Sequence, residues 1–354
     1  IIVGRTISVE ALAAVGATGS ISFLIVGFVQ GVTSGFAVIT AQRFGAGSEN
    51  GVRRSVATSI ILGIAVTIVM TAISVLAARP LLEIMKTPSD IIDDSYNYII
   101  VIFEGIAAAV FFNLFSSILR SLGDSKTPLV FLIIASIINI ILDFVFILTF
   151  KMGVAGAGWA TVIAQFISGI LCFVYSLKKF PILRLTKHDW KFSWRFAWQH
   201  LAVGLPMAFQ FSITAIGTMV IQSALNSLGS TAVAAFTAGS KIDQFATQPL
   251  ASLGVAVATY TAQNYGAREL ERIKKGVTGA AIIATVCGIV GGFVVITFAK
   301  PLVALFVGNG QNEVMSLSKE YLVLNGVFYV ILGLLFVYRN ALQGIGSSMK
   351  IGRA

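Results

Sequence analysis

The stretch Ala-Gln-Arg-Phe-Gly-Ala at residues 41–46 returns as Ala-Gln-Asn-Tyr-Gly-Ala at residues 262–267, an offset of 221 positions. Two further pairs share this offset, and a fourth pair has an offset of 223. These pairs are 11–14 with 232–235, 79–81 with 300–302, and 119–123 with 342–346. The chain therefore contains two similar halves, and two such halves in a membrane are typical of transporters.

The composition indicates that both halves span a membrane. Of all residues, 56% are hydrophobic and 11% are charged, whereas a soluble domain carries about 25% charged residues. Uncharged stretches at 55–78, 152–177, 244–267 and 276–299 are long enough to cross a bilayer, which takes about 20 apolar residues in a helix. The sequence predicts spans at 11–42, 52–78, 95–119, 127–150, 156–177, 197–225, 232–262, 276–299 and 320–345, with the end of another at 1–4.

The net charge of +10 follows from membrane topology rather than from nucleic-acid binding. With these spans, most Lys and Arg residues fall on one side of the membrane, including Arg53, Arg54, Lys350 and Arg353. The side rich in Lys and Arg is normally cytoplasmic. We therefore expect a multi-pass protein of the cell membrane with its loop at 180–199 in the cytoplasm, and no nucleic-acid partner.

The repeat also predicts how the chain divides. We expect an N-terminal lobe at 1–179, a basic cytoplasmic connector at 180–199 and a C-terminal lobe at 200–354. A complete repeat would add one helix before residue 1 and two after residue 354. The expected fold class is thus an all-α membrane protein of two pseudo-symmetric six-helix bundles, with twelve spans when complete and about nine in this sequence.

The connector at 180–199 combines basic residues with Trp190, Trp194 and Trp198. Basic and aromatic side chains together are typical of an interfacial helix that lies on anionic headgroups. The alternative is a simple linker with side chains that reach the interface. Both interpretations remain open at this stage.

Several motifs resemble the multidrug and toxic compound extrusion (MATE) family over almost the whole chain. They include the 11–16 and 41–46 stretches, the Ile-Leu-Arg-Ser-Leu-Gly-Asp-Ser-Lys-Thr-Pro segment at 118–128, the glycine-rich segment at 153–161, and Gly-Leu-Pro at 204–206. The resemblance implies twelve helices in two lobes around a central cleft. It also implies efflux driven by an inward proton or sodium gradient.

Asp143 is the best candidate for cation coupling, because an ionisable group at membrane depth is costly and usually functional. Asn139 lies one helical turn earlier, so both side chains share a face. The amide and carboxyl could hold a proton or coordinate Na⁺, whereas the structural alternative is a polar pair that fixes helix packing. The resemblance also implies that one bacterial branch of the family uses an Asn-x-x-x-Asp pair of this kind as its cation site. Asn113 and Ser116 of the preceding helix are further candidates for the network.

Lys241 and Asp243 bring two charges into the second half where the first half has Ser20 and Ser22. Residues two apart on a helix face different sides, so we expect no salt bridge between them. Asp243 is predicted to attract a cationic substrate or the coupling ion in the second lobe, with Lys241 in the same region. The alternative is that both side chains reach water near the outer end of the helix.

The sequence therefore predicts a secondary active efflux transporter of amphipathic organic cations or drugs, coupled to H⁺ or Na⁺ by alternating access. We expect a monomer in contact with membrane lipid, with no cofactor besides the coupling ion. The alternative is a flippase for lipid-linked precursors with the same two-lobed plan. No enzyme is expected, because His188 and His200 form no His-Glu-x-x-His pattern and the chain has no P-loop.

Overall fold

A computed structural model of the protein describes residues 2–307 and 312–347, and these residues form helices without any β-strand. Lys350 and Arg353, which the sequence assigns to the cytoplasmic side, lie outside the described residues. The helices are α1 (Ile2–Thr6), α2 (Val9–Ala17), α3 (Gly19–Gly45), α4 (Glu49–Ile84), α5 (Ile92–Glu104), α6 (Ile106–Ser121), α7 (Lys126–Phe144), α8 (Gly153–Lys179), α9 (Trp194–Ser227), α10 (Ser230–Gly266), α11 (Leu270–Thr297), α12 (Ala299–Val307), α13 (Asn312–Val327) and α14 (Tyr329–Gly344).

Two shorter elements interrupt this pattern, a π-helical segment at Val145–Thr149 and a 3-10 turn at Pro181–Leu183. Among the described residues, six helices are long and apolar enough to cross a membrane, and up to eight spans result if each of two bent pairs counts as one. The predicted span at 232–262 is one continuous helix, α10, but α10 is not among these eight. The predicted fold class, an all-α integral membrane protein, is confirmed.

Helix packing divides the chain into two compact units, Ile1–Ile216 and Gly217–Ala354. In the first unit, one apolar cluster joins Val56 of α4, Phe115 of α6 and Cys172 of α8. In the second unit, the cluster joins Leu250 of α10, Ala284 of α11 and neighbours on α13 and α14. The first unit includes the start of α9, so this division falls later in the chain than the predicted lobe boundary at residues 180–199, which stays a prediction.

Glycines on α3 allow its backbone to touch α9 in the first unit. A Cβ atom added at Gly31 would lie 2.6 Å from the Cα of Ala208, and one at Gly35 would meet the backbone of Gly204. Gly27, Gly31 and Gly35 thus form the close-packing face that small residues spaced by four typically provide. Any larger side chain at Gly31 would push α3 and α9 apart.

The same helix break recurs at equivalent positions of the two repeats. The α5–α6 pair bends by 47° at Gly105, and the α13–α14 pair bends by 49° at Phe328. Gly105 and Phe328 are separated by 223 positions, the offset found in the C-terminal part of each repeat. Each bent pair was predicted as one span, and the bend itself was not predicted.

A buried hydrogen bond in the first half of each broken helix also repeats. Ser95 Oγ donates to the carbonyl of Ala14 at 3.1 Å, and Ser318 Oγ donates to the carbonyl of Ala235 at 2.8 Å. Both serines are fully buried, and both the donors and the acceptors correspond in the repeat. Because a buried hydroxyl without a partner is costly, this bond ties the first half of each broken helix to an earlier helix of the same repeat, α2 or α10.

The connector at 180–199 has no helix of its own, so the interpretation as a separate interfacial helix was wrong, although Trp194 and Trp198 lie in the first turns of α9. After the Pro181–Leu183 turn, the chain runs without helix until α9 begins at Trp194. Asp189 accepts hydrogen bonds from Thr186 N and Thr186 Oγ1, both at 2.7 Å, and these bonds favour a local turn over a helix. Leu183 is buried in the same apolar cluster as Val56, which fixes the connector to α4.

Asp189 also carries the connector's ion pair with α4. Its carboxylate lies 3.9 Å from Arg53 Nε and is only 8% exposed. Burial opposes its ionisation, but the Thr186 hydrogen bonds and the Arg53 charge outweigh burial, so the pKa of Asp189 lies below its ordinary value. The carboxylate is therefore held ionised against α4.

Candidate functional site

Asp143 lies one residue before the end of α7 and two residues before the π-helical segment Val145–Thr149. Its Oδ1 atom is buried and has no hydrogen-bond partner within the described part of the chain. A π-helical segment often marks a functional position in a helix, and a buried carboxyl oxygen without a partner is rare in a purely structural role. Asp143 thus presents an oxygen that a proton or a cation could satisfy.

Asn139 connects this region to a cavity in the first unit. Its Nδ2 donates to Thr161 Oγ1 of α8 at 3.4 Å, and Thr161 Oγ1 donates to the carbonyl of Ala157 at 3.0 Å. Thr161 lines a cavity of about 290 Å³. Asn139 donates to Thr161 rather than to Asp143, so the predicted pair shares one helix without a direct hydrogen bond between its members.

The cavity collects polar side chains from three other helices. Gln30 of α3, Tyr98 of α5 and Gln165 of α8 line it, together with Ser22 near the start of α3. Tyr98 is also close enough to Asp143 to feel the charge of its carboxylate. Most of the cavity lining is apolar, but these hydroxyl and amide groups at five positions could accept a small cation or a proton-carrying water.

The structure does not bring Asn113 and Ser116 into this group. Asn113 Nδ2 donates to the carbonyl of Ala109 at 2.8 Å, and Ser116 Oγ donates to the carbonyl of Asn113 at 3.3 Å. Both bonds stay within α6. Their role in cation coupling remains a prediction that no contact to Asp143 supports.

Sequence reasoning missed Tyr98 and Thr161 as members of the site. Thr161 is the last residue of the glycine-rich motif at 153–161, and that motif supported only the family resemblance. Gln30 and Gln165 are uncharged polar residues inside predicted spans, and that position was the available signal. A search for amides and hydroxyls in apolar helices, in addition to charges, would have found all four.

Asp243 of the second unit sits in a different environment. Tyr329, the first residue of α14, donates its phenolic hydrogen to Asp243 Oδ1 at 2.8 Å. Tyr329 is 2% exposed, so the break before α14 places this donor inside the unit. Lys241 is exposed and forms no ion pair with Asp243 among the described residues, as the spacing predicted.

A second buried polar group, also missed from sequence, lies where α3, α4 and α9 meet. His200 Nδ1 donates to the carbonyl of Phe196 at 3.0 Å, and its Nε2 lies 2.9 Å from Ser55 Oγ. Ser55 Oγ lies 2.9 Å from Thr40 Oγ1. In the neutral ring, Nε2 must accept from Ser55, so Thr40 donates to Ser55, and the polar side-chain atoms of His200 and Ser55 all have partners. His200 is therefore a packing residue, and the described residues contain no cluster of three metal-ligating side chains.

Comparisons with known proteins agree with the resemblance. A family model described as MatE matches residues 1–145 and 206–351. The probable multidrug resistance protein YpnP of Bacillus subtilis is 28% identical over 353 residues, which cover 99% of this chain and 78% of that protein. The probable multidrug resistance protein YoeA of the same organism is 28% identical over 338 residues, covering 94% and 73%.

Solved structures give the same result for the fold. One structure, described as the outward-facing conformation of a multidrug resistance MATE family transporter of the MOP superfamily, aligns with a TM-score of 0.91. It is 25% identical, and the alignment covers 99% of this chain and 78% of that chain. With a family model that matches both repeats and a common fold over almost the whole chain, this protein belongs to the MatE family of multi-span membrane transporters.

Proposed function

We propose that the protein exports amphipathic organic cations by secondary active transport, with Asp143 as the group that binds the coupling ion. The buried, unpartnered Oδ1 of Asp143 carries this proposal. In a membrane protein a carboxyl group in such a position needs a proton or a cation to offset its burial. A group that must alternate between occupied and empty states is what an antiporter requires.

The surroundings of Asp143 suit either coupling ion. A proton would neutralise the carboxylate directly. A Na⁺ ion would need several oxygen ligands, for which the Asp143 carboxylate, the Asn139 amide oxygen and the nearby hydroxyls are candidates. The cavity lined by Thr161 and Tyr98 is proposed as the route by which either ion approaches Asp143.

Asp243 is proposed to attract the organic cation in the second unit. A carboxylate fixed by Tyr329 keeps its charge in one place, and a fixed negative charge favours cationic cargo. The names of two Bacillus subtilis relatives, both probable multidrug resistance proteins, support drug-like substrates. Transport would proceed by alternating access, with cation binding at Asp143 favouring release of the cargo.

The flippase alternative is not favoured. A lipid-linked precursor carries phosphates, and its site would need several basic side chains. Lys241 is the only basic side chain that the sequence suggested for such a site, and the structure leaves it exposed. The family match and the named relatives also indicate multidrug export rather than precursor transfer.

Ethidium efflux from cells that express the full chain tests the proposal. Asp143→Asn should abolish efflux because the amide cannot bind a proton and lacks the negative charge that holds a cation. Glu104→Gln is the matched control, since Glu104 is also an acid at membrane depth but is exposed at the end of α5. Efflux retained by Asp143→Asn at normal membrane abundance would refute the assignment.

A further inference from the structure

A second cavity of about 860 Å³ lies between α4, α6 and α8, and we name it the lateral groove. One end is lined by Ile68, Ala107 and Phe166, the groove residues farthest along their helices from the connector. Arg184 and Trp190 of the connector line the other end. Its volume falls within the 300–1,000 Å³ of ordinary ligand sites. It is lined mostly by aliphatic and aromatic side chains.

The lateral groove is open towards hydrocarbon. Ile64, Ile68 and Phe166 are 55%, 64% and 48% exposed. They belong to α4 and α8, two helices that are long and apolar enough to span a membrane. Large apolar side chains exposed on such helices contact lipid tails, because exposure to water would be unfavourable.

The depth of the lateral groove matches one membrane leaflet. Its lining on α4 extends from Val56 to Ile68, which corresponds to about 18 Å at the rise of an α-helix. The hydrocarbon core is about 30 Å thick, so one leaflet contributes about 15 Å. An acyl chain of one leaflet would therefore reach from the connector to the inner end of the groove.

The connector end of the lateral groove is basic and aromatic. Arg184 is exposed and has no ion-pair partner among the residues that the structure describes. The neighbouring acid, Asp189, is already paired with Arg53. Trp190 is 44% exposed, and Trp is enriched at the level of lipid headgroups. This end thus offers an unpaired cation and an interfacial ring above an apolar channel.

We propose that the lateral groove is a binding site for an anionic phospholipid of the cytoplasmic leaflet. One acyl chain occupies the channel between α4 and α8, Arg184 pairs with the headgroup phosphate, and Trp190 packs at the glycerol level. The site is separate from the cavity beside Asp143, and its occupancy does not depend on transport.

Quenching of Trp190 fluorescence by brominated lipids tests this site. The chain has four Trp residues, and Trp159→Phe, Trp194→Phe and Trp198→Phe together leave Trp190 as the reporter. The full chain is reconstituted in phosphatidylcholine with small fractions of brominated phosphatidylglycerol or brominated phosphatidylcholine. We expect half-maximal quenching at an about fivefold lower fraction of the anionic lipid, the preference typical of one basic residue at an anionic surface.

Two variants distinguish a built site from general attraction to basic residues. Arg184→Gln should remove the headgroup preference, whereas Lys187→Gln, an equally exposed connector residue outside the groove, should keep it. Ala107→Phe, at an exposed position that lines the groove, should reduce quenching by both lipids. Equal quenching by both lipids, equal losses in the Arg184 and Lys187 variants, or displacement of the lipid by ethidium would overturn the proposal. The last of these results would identify a cargo site instead.

Discussion

The two halves of the chain share a scaffold but place their acids differently. Each half contains a helix broken at equivalent positions, Gly105 and Phe328, with a bend of 47° or 49°. In the first unit Asp143 has a buried oxygen without a partner, whereas in the second unit Asp243 accepts a hydrogen bond from Tyr329. The repeat thus preserves the backbone geometry and varies the chemistry placed on it.

This difference suggests that the acids of the two units have different roles. A carboxyl oxygen without a partner can gain and lose an ion, while a carboxylate fixed by a phenol serves better as a constant charge. Tyr329 corresponds to Ile106 in the first repeat, and Asp243 corresponds to Ser22. The acid–phenol pair therefore arose in one half only, on a break that both halves possess.

The largest difference between the two units is expected when Asp243, the acid of the second unit, is substituted. Asp243→Asn should raise the KM for ethidium efflux about tenfold while leaving kcat within about twofold, because it removes a charge that attracts cargo and not the coupling group. Tyr329→Phe should cause a smaller rise, since the carboxylate remains. Initial efflux rates over a range of ethidium concentrations provide the measurement. Complete loss of kcat in Asp243→Asn would place coupling in the second unit.

The next largest effect concerns helix packing in both halves. Gly31→Ala should destabilise the protein by about 1–3 kcal/mol, the usual cost of overpacking, since the new Cβ would lie 2.6 Å from the Cα of Ala208. Gly288→Ala should cost a similar amount, because its Cβ would lie 2.8 Å from the Cα of Val330. Thermal unfolding in detergent measures both effects.

Matched controls for these variants lie on the same helices. Gly19 on α3 and Gly279 on α11 have no atom within 4 Å of an added Cβ, so Ala at either position should leave the unfolding temperature unchanged or slightly higher. A drop in the controls equal to that in Gly31→Ala would mean that close approach of the helix backbones is not the cause.

A smaller effect on stability tests whether the repeated hydrogen bond contributes the same free energy in each half. Ser95→Ala and Ser318→Ala should each cost about 0.6–1 kcal/mol, the range for a side-chain hydrogen bond inside a membrane protein. The two losses should agree because the two bonds are equivalent in the repeat. A clear loss in one variant alone, in the same unfolding assay, would show that only one break depends on this bond.

The smallest effect belongs to the connector, which has no counterpart within either repeat. The pKa of Asp189 is lower in the folded protein than its ordinary value of 3.8. The Asp189 interactions therefore stabilise the fold above that value, and their contribution disappears as the pH falls through the lowered pKa. Asp189→Asn should cost about 0.5 kcal/mol at pH 7, because the amide keeps an oxygen that can accept from Thr186 and loses only the charge opposite Arg53, and progressively less below pH 3.8.

The control for this pH dependence is Asp90→Asn, because Asp90 is an exposed acid without an ion pair among the described residues. Unfolding temperatures of both variants and the unsubstituted protein are compared between pH 7 and pH 3. A loss in Asp189→Asn that does not diminish on acidification would contradict the ion-pair account.

Much of the fold could be predicted because each membrane helix can be recognised from its own stretch of sequence. About 20 apolar residues without charge can satisfy their backbone in lipid only as a helix, and the repeat then relates one half to the other. The bends at Gly105 and Phe328 were not predicted, because each falls inside a stretch that is long enough for one span, and a single glycine such as Gly105 or Gly326 does not by itself end a helix.

The candidate site was predictable only where its members share a helix. Asp143 and Asn139 lie one turn apart, so periodicity alone places them on one face. Thr161 and Tyr98 come from α8 and α5, and their approach depends on tertiary packing that no local pattern encodes. The interpretation of the connector as a separate helix was wrong because Thr186 donates two hydrogen bonds to Asp189. Such local bonds compete with helix formation, and composition does not reveal them.

Ion release on substrate binding tests the central claim about Asp143 most directly. The purified full chain, in weakly buffered detergent solution, is mixed with ethidium while a pH indicator and a Na⁺-sensitive dye are recorded. The account predicts that ethidium releases about one H⁺ or one Na⁺ per protein, that Asp143→Asn releases neither, and that Asp243→Asn still releases the ion once ethidium is saturating. Unchanged ion release from Asp143→Asn would show that Asp143 does not bind the coupling ion.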